Sequence, residues 1–115
     1  MSIIKSKRVT TNTSTAWVEQ WQDIGMSDSA TEIPFSSHAD RSVQVTGLFG
    51  SGGSVVIEGS NDGINWSTLT DFQGNQLSIN TPKIVMVSEV TAYIRPRVIS
   101  TDALTSITVS ILVRS

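Results

Sequence analysis

Residues 105–114 read Thr-Ser-Ile-Thr-Val-Ser-Ile-Leu-Val-Arg. Ile107, Val109, Ile111 and Val113 fall on one side of an extended chain, and Thr108, Ser110, Leu112 and Arg114 fall on the other. Side chains alternate across a strand, whereas a helix returns to the same face every three or four residues. The period of two predicts a β-strand with one buried face. Residues 92–100 (AYIRPRVIS) repeat the pattern, with Ile94, Pro96 and Val98 opposite Tyr93, Arg95, Arg97 and Ile99. Pro96 has no N–H to give to a ladder, so this strand is expected at a sheet edge or at a bulge.

Working toward the N-terminus, the same reading continues. Lys83–Val87 is short and apolar, Pro82 breaks the run before it, and Leu77 and Ile79 flank Ser78. Gly74 marks a turn within 71–75, and Ser60-Asn61-Asp62-Gly63 is a strong turn, since Asp-Gly supplies the positive φ of a tight reversal. Residues 54–60 (SVVIEGS) form a strand with Val55 and Ile57 on one face and Val56 and Glu58 on the other. Gly50, Gly52 and Gly53 mark the turn before it, and Val43 and Val45 alternate with polar neighbours before that. Residues 15–24 (TAWVEQWQDI) read both ways. Trp17, Trp21 and Ile24 have helical spacing, while a strand would put Trp17, Glu19, Trp21 and Asp23 on one poorly sorted face. A strand is preferred, because a ten-residue helix is marginal without support and every other element is β.

Strands separated by turns at intervals of about 8–12 residues indicate an all-β fold. The expectation is a single-domain antiparallel β-sandwich, jelly-roll-like, over 15–115, preceded by a flexible basic arm over 1–14. At 115 residues, one domain is what the length supports. Its core is expected from Ile107, Val109 and Ile111, packed on Val43, Val45 and either Val55 and Ile57 or Val56.

Composition narrows function by exclusion. There is no Cys and one His, His38, so disulfides, thiolate sites and His-rich metal sites are out. No stretch is long and apolar enough for a membrane-spanning helix, and the first residues lack the apolar run of a secretory signal. Net charge is −2, which argues against a protein built to neutralise phosphates. Residues 1–18 hold Lys5, Lys7 and Arg8 and no acid, while 19–115 hold ten acids and five cations. The arm therefore reads either as a solvated terminus or as a segment that orders on an acidic partner. Ser and Thr number 18 and 13, and only 16% of residues are charged. Thr suits a solvent-facing pleat, and a weakly charged face suits contact with protein because few charges need desolvation.

Candidate chemistry is sparse. His38 has Asp40 two residues on, but no Gly-x-Ser-x-Gly elbow is present, and the segment reads as a surface loop. Asp28, Asp40, Asp62, Asp71 and Asp102 all stand in turn-like contexts, where Asp bonds to nearby backbone. Asn61-Asp62-Gly63 lacks the remaining ligands of a calcium loop, and no Gly-Lys-Ser/Thr follows Gly50–Gly53. No catalytic residue, metal or cofactor is expected. Asn61, Asp62, Asn65 and Trp66 could form a sugar site, with the ring stacking on a sugar face. Otherwise Trp66 plugs the sandwich. Tyr93, Arg95 and Arg97 share a strand face that could grip partner carboxylates or stay solvated.

The run 56–69 (VIEGSNDGINWSTL) carries a Ser-x-Asp-Gly-x-x-Trp hairpin and resembles two groups. One is the discoidin-like β-sandwiches that bind carbohydrate or lipid. Those domains are larger and tie their termini with a disulfide, from which this Cys-free chain departs. The other is a set of small tailed-phage structural proteins, and here the resemblance runs on through Tyr93-Ile94-Arg95-Pro96-Arg97-Val98 to residues 104–114, about half the chain. It is similar to a capsid decoration (cement or staple) protein. What that resemblance implies is a jelly-roll-like sandwich, not an enzyme, on the outer capsid surface of the virion, assembled in the host cytoplasm. The implied partner is the major capsid protein, with homo-oligomers on the shell and no nucleic acid or membrane. Ile3, Ile4, Lys5, Lys7 and Arg8 of the arm, with Tyr93, Arg95 and Arg97, are the expected contacts. The alternative is a carbohydrate-binding module or tail-associated adhesin using Asn61–Trp66.

Overall fold

The computed structural model describes residues 2–10 (Thr10 by its backbone), 15–34, 38–99 and 101–115. Among them are eleven strands, β1 to β11 in chain order. The strand at 105–114 lies where its alternation requires. β11 (Ser106–Arg114) runs through the middle of a five-stranded antiparallel sheet, paired with β3 (Ala16–Gly25) on one side and β5 (Asp40–Leu48) on the other. β2 (Lys7–Thr10) extends the sheet beyond β3, and β9 (Lys83–Met86) extends it beyond β5.

The second sheet is smaller. β10 (Tyr93–Ile99) pairs with β6 (Ser54–Ser60) through seven residues, from Tyr93 opposite Ser60 to Ile99 opposite Ser54. The far side of β6 is taken by β7 (Ser67–Thr68) over one half and β8 (Ser78–Ile79) over the other. Beyond β10, among the described residues, only Ile33 bridges, to Ile94. Pro96 thus sits on an edge strand, as its missing N–H demands. β1 (Ile3–Ile4) pairs in parallel with β4 (Ser29–Ala30).

This is a jelly-roll order. The long sheet reads β3-β11-β5-β9, and the short sheet reads Ile33 bridge-β10-β6-β7. The first long strand neighbours the last, and the chain crosses between the sheets from β5 to β6, β8 to β9, β9 to β10 and β10 to β11, as two interlocked Greek keys require. The chain is a single-domain all-β sandwich.

Between the sheets, Ile107, Val109, Ile111 and Val113 meet Val43, Val45, Trp21 and Ile24 of their own sheet and Val55, Ile57 and Ile94 of the other, all essentially inaccessible to water. Val55 and Ile57 point inward, and Val56 takes the opposite face. Trp21 is fully buried and its indole N–H donates to the Thr31 carbonyl at 2.9 Å. Arg41 is buried too. Its Nε donates to the His38 carbonyl at 2.9 Å and its Nη2 to the Thr91 carbonyl at 2.8 Å, which ties two loops at one end of the sandwich. Desolvation pulls the Arg41 pKa below its ordinary value.

The strand preferred over 15–24 is present as β3. The helical spacing of Trp17, Trp21 and Ile24 comes from a bulge in β3. Register with β11 shifts between Ile107 and Val109, and Asp23 takes φ 56°. Two residues of β3, Gln22 and Asp23, therefore oppose one of β11. Asp23 turns out to solvent, its N–H donating to the Thr108 hydroxyl at 3.2 Å, and Ile24 rotates into the core. Residues 2–10, the described part of the arm, lie along the sandwich. Ile4 packs on the core, and Arg8 stands over the Trp17 ring at 4.1 Å and 3.6 Å from the Glu19 carboxylate. The physical reason is pairing: β2 has an unsatisfied edge of β3 to join, and Arg8 lies directly opposite Glu19. Met1, residues 11–14, and Ser36 and Ser37 beside His38 lie outside the described residues.

Candidate protein-binding surfaces

The hairpin set comes together, but its polar groups are occupied. The Asp62 carboxylate accepts the N–H groups of Ile64 and Asn65 at 2.8 Å each, and the Asn65 side-chain amide at 2.8 Å. Ser60 donates its hydroxyl to the same carboxylate at 2.8 Å and accepts the Gly63 N–H at 2.9 Å, with Gly63 at φ 77°. These bonds, led by the Asn65 N–H, hold the Asp62 pKa well below the usual carboxylate range. The Asn61 side-chain oxygen accepts the Ala92 N–H at 2.9 Å, pinning the turn to the chain that enters β10.

Trp66 is half-buried and lies outside the sandwich core, contrary to its reading as a core plug. The Arg95 guanidinium covers the ring at 3.8 Å from its centre. The reason is register. Arg95 lies directly opposite Glu58 on the outer face of the short sheet, next to the hairpin that carries Trp66. Glu58 accepts from Nε of Arg95 at 3.2 Å and from Nε of Arg97 at 3.0 Å, one carboxylate oxygen to each. Its side chain is only 8% exposed, while those of Arg95 and Arg97 are 28% and 53% exposed. Tyr93 shares this face and packs beside Gly63. Trp66, Arg95, Glu58 and Arg97 thus form one array in which every charge has an opposite neighbour.

On the opposite side of the sandwich, the outer face of the long sheet is nearly free of charge. One row across it reads Val18, Leu112, Ser42, Met86, and the next reads Gln20, Ser110, Gln44, Ile84. Ile84 is 64% exposed, and Leu112 and Met86 are more than a third exposed. Val18, Ser42, Gln44, Ile84, Ser110 and Leu112 line a shallow depression of about 190 Å³. The Arg114–Asp40 pair, 2.8 Å apart, closes one end. Of the arm residues, Ile3, Lys5, Lys7 and Arg8 are exposed, and Lys7 lies opposite Gln20. Ile4 is partly buried and packs against the core.

The candidate residues therefore divide into three places: the arm along β3 and β4, the Trp66–Arg97 array, and the long-sheet face. Sequence reading named the first two sets. It missed Ile84, Met86, Leu112 and Val18, although the alternation of 105–114 already puts Leu112 on the polar side, an exposed apolar residue among Ser and Thr. It also missed Glu58 as the link between the two arginines, since nothing local shows which strand pairs with 93–99. Among the described residues, no three His, Asp or Glu side chains gather where they could hold a metal.

No protein-family model matches the chain, and no curated protein matches it. Among solved structures it resembles protein NMB1881 from Neisseria meningitidis, with a TM-score of 0.45 at 12% identity over 96% of this chain and 83% of that one, too loose a likeness to argue from. It also resembles the SPBc2 prophage-derived protein YomS, with a TM-score of 0.63 at 13% identity over 92% of this chain and 100% of that one. At that identity the second likeness is one of fold: the sandwich described above is shared over nearly its whole length with a prophage-derived protein.

Proposed function

We propose that this chain is a non-enzymatic structural protein of a tailed-phage virion that binds the outer surface of the capsid and strengthens contacts between major capsid subunits. The observation that carries this reading is the long-sheet face. Its centre presents Val18, Leu112, Ile84 and Met86 among Ser and Gln, with no charge to desolvate on docking. Exposed apolar side chains gathered on one sheet face mark protein contact more often than solvated surface. The shared fold with a prophage-derived protein and the Tyr93–Val98 and Ser60–Trp66 motifs support the phage setting. Lys7, opposite Gln20 at the β2 edge of the same sheet, adds positive charge beside this surface toward an acidic partner, while Arg8 is paired with Glu19 on the other face.

The carbohydrate reading has less support. The Asp62 and Asn61 oxygens are used in the turn, and Arg95 occupies a face of the Trp66 ring where a sugar would stack.

Co-sedimentation with undecorated capsids tests the proposal. The purified chain is expected to pellet with capsids, and Leu112→Lys with Ile84→Asp is expected to abolish this while the melting temperature stays near that of the parent. Both positions are open to solvent, where substitutions change stability by about 0.5 kcal/mol or less. Failure of the parent chain to pellet, or unchanged pelleting of the double variant, rejects the proposal.

A further inference from the structure

We propose that Arg95 and Arg97 form a second docking site, a receptor for a carboxylate carried on an acidic segment of the partner. It lies on the side of the sandwich opposite the apolar long-sheet face. It deepens the docking function proposed above and rests on it for the partner's setting, but the site's chemistry stands on its own geometry.

Arg95 and Arg97 are two residues apart on one face of an edge strand, so their backbones are about 6.6 Å apart. Both are anchored through Nε to the two oxygens of Glu58, which is held between them with little exposure. Among the described residues, neither arginine gives a hydrogen bond from its Nη groups to the chain. The pair is thus fixed by one edge of each guanidinium and leaves the other donors to an incoming group. The three charges leave a net positive site, and Trp66 stacked on Arg95 restricts that side chain before any ligand arrives. Preset guanidinium donors match the two in-plane oxygens of a carboxylate.

The surroundings fit an acidic peptide. Along the outer edge of β10, Arg95, Pro96, Arg97 and Val98 face Asp28, Ser29 and Ala30 across a depression of about 260 Å³. Asp28 is the acid on that rim, and its carboxylate is engaged by the N–H groups of Ser2 at 3.2 Å and Gly25 at 2.9 Å.

The test is a titration of the purified ¹⁵N-labelled chain, following the Nε–H signals of Arg95 and Arg97. The probes are a short acetylated oligo-glutamate peptide, its glutamine counterpart and inorganic phosphate. The glutamate peptide is expected to shift both signals to saturation, the glutamine peptide is not, and raising salt is expected to weaken binding. Arg97→Gln is expected to weaken it by about fivefold or more, with Arg97→Lys in between, because lysine keeps the charge and loses the fork. The amide spectrum checks that each variant is folded, which the exposure of Arg97 favours. Equal shifts with both peptides, no saturable shift, an unaffected Arg97→Gln variant, or tighter binding of phosphate than of peptide overturns the proposal. None of these outcomes involves capsids, so failure here and failure of capsid docking are read separately.

Discussion

Trp66 and Ile111 are both large and apolar, yet their removal has different consequences. Ile111 is fully enclosed between the sheets, so Ile111→Ala leaves a cavity as well as lost burial and is expected to cost about 2–5 kcal/mol. Trp66 is half-buried on an outer face with Arg95 over it, so Trp66→Ala strips a stacking partner without opening the core, for a loss of about 1–2 kcal/mol. Urea denaturation of both variants checks this, and a larger loss for Trp66→Ala would mean that the indole carries core packing. The residue-level surprise is Glu58. It reads in sequence as an ordinary outward strand residue, and only the pairing of 54–60 with 93–99 makes it the anchor of two arginines. A charge whose partners lie 37 and 39 residues away cannot be recognised from its own neighbourhood.

At the scale of the element, the bulge in β3 carries the most sequence-specific conformation. Asp23 at φ 56° is in the left-handed region, which Asp and Asn tolerate and β-branched residues do not. Asp23→Val is expected to cost about 1–2 kcal/mol, and Asp23→Asn little, as a pair of melting curves would show. Equal stability of the two variants would mean that the bulge is not held at this residue. The same bulge explains what could be read in advance. β11 was fully legible because its period of two is unbroken over Ser106–Arg114, and β6 and β10 were nearly so. β3 imitated a helix because one extra residue restored Ile24 to the inner face, and a simple alternation test has no place for an inserted residue. β1 and β2 escaped because edge strands of two and four residues, set among Lys5, Lys7 and Arg8, resemble a solvated terminus until the strands they pair with are known. The long-sheet face escaped for a related reason: Ile84 and Leu112 are 28 residues apart in sequence and become neighbours only when β9 and β11 flank β5.

For the molecule as a whole, three turns are fastened by carboxylates. Asp62 is held by the Asn65 N–H foremost, Asp71 by that of Asn75, and Asp102 by that of Ser51, and each pKa is lowered. A lowered pKa in the fold means that the unfolded chain takes up protons first as pH falls. The stabilisation is therefore complete above the ordinary carboxylate range, about 4, and is lost progressively below it. Melting temperature is expected to hold between neutrality and mild acid and then fall. In Asp62→Asn that fall should be shallower, and an identical acid profile would remove Asp62 from the account. The position of β11 between β3 and β5 bears on how the chain is made as well as on how it stands. A ribosome delivers β3 and β5 long before β11, which pairs with both. Until residues 106–114 emerge, two long strands wait with open edges and half a core, the kind of intermediate that sticks to its neighbours. Uncharged polar side chains on their outer faces, Gln20 and Gln22 of β3 and Ser42, Gln44 and Thr46 of β5, keep that interval soluble without charge, so the composition that suits the finished surface to a partner also protects the unfinished one during synthesis.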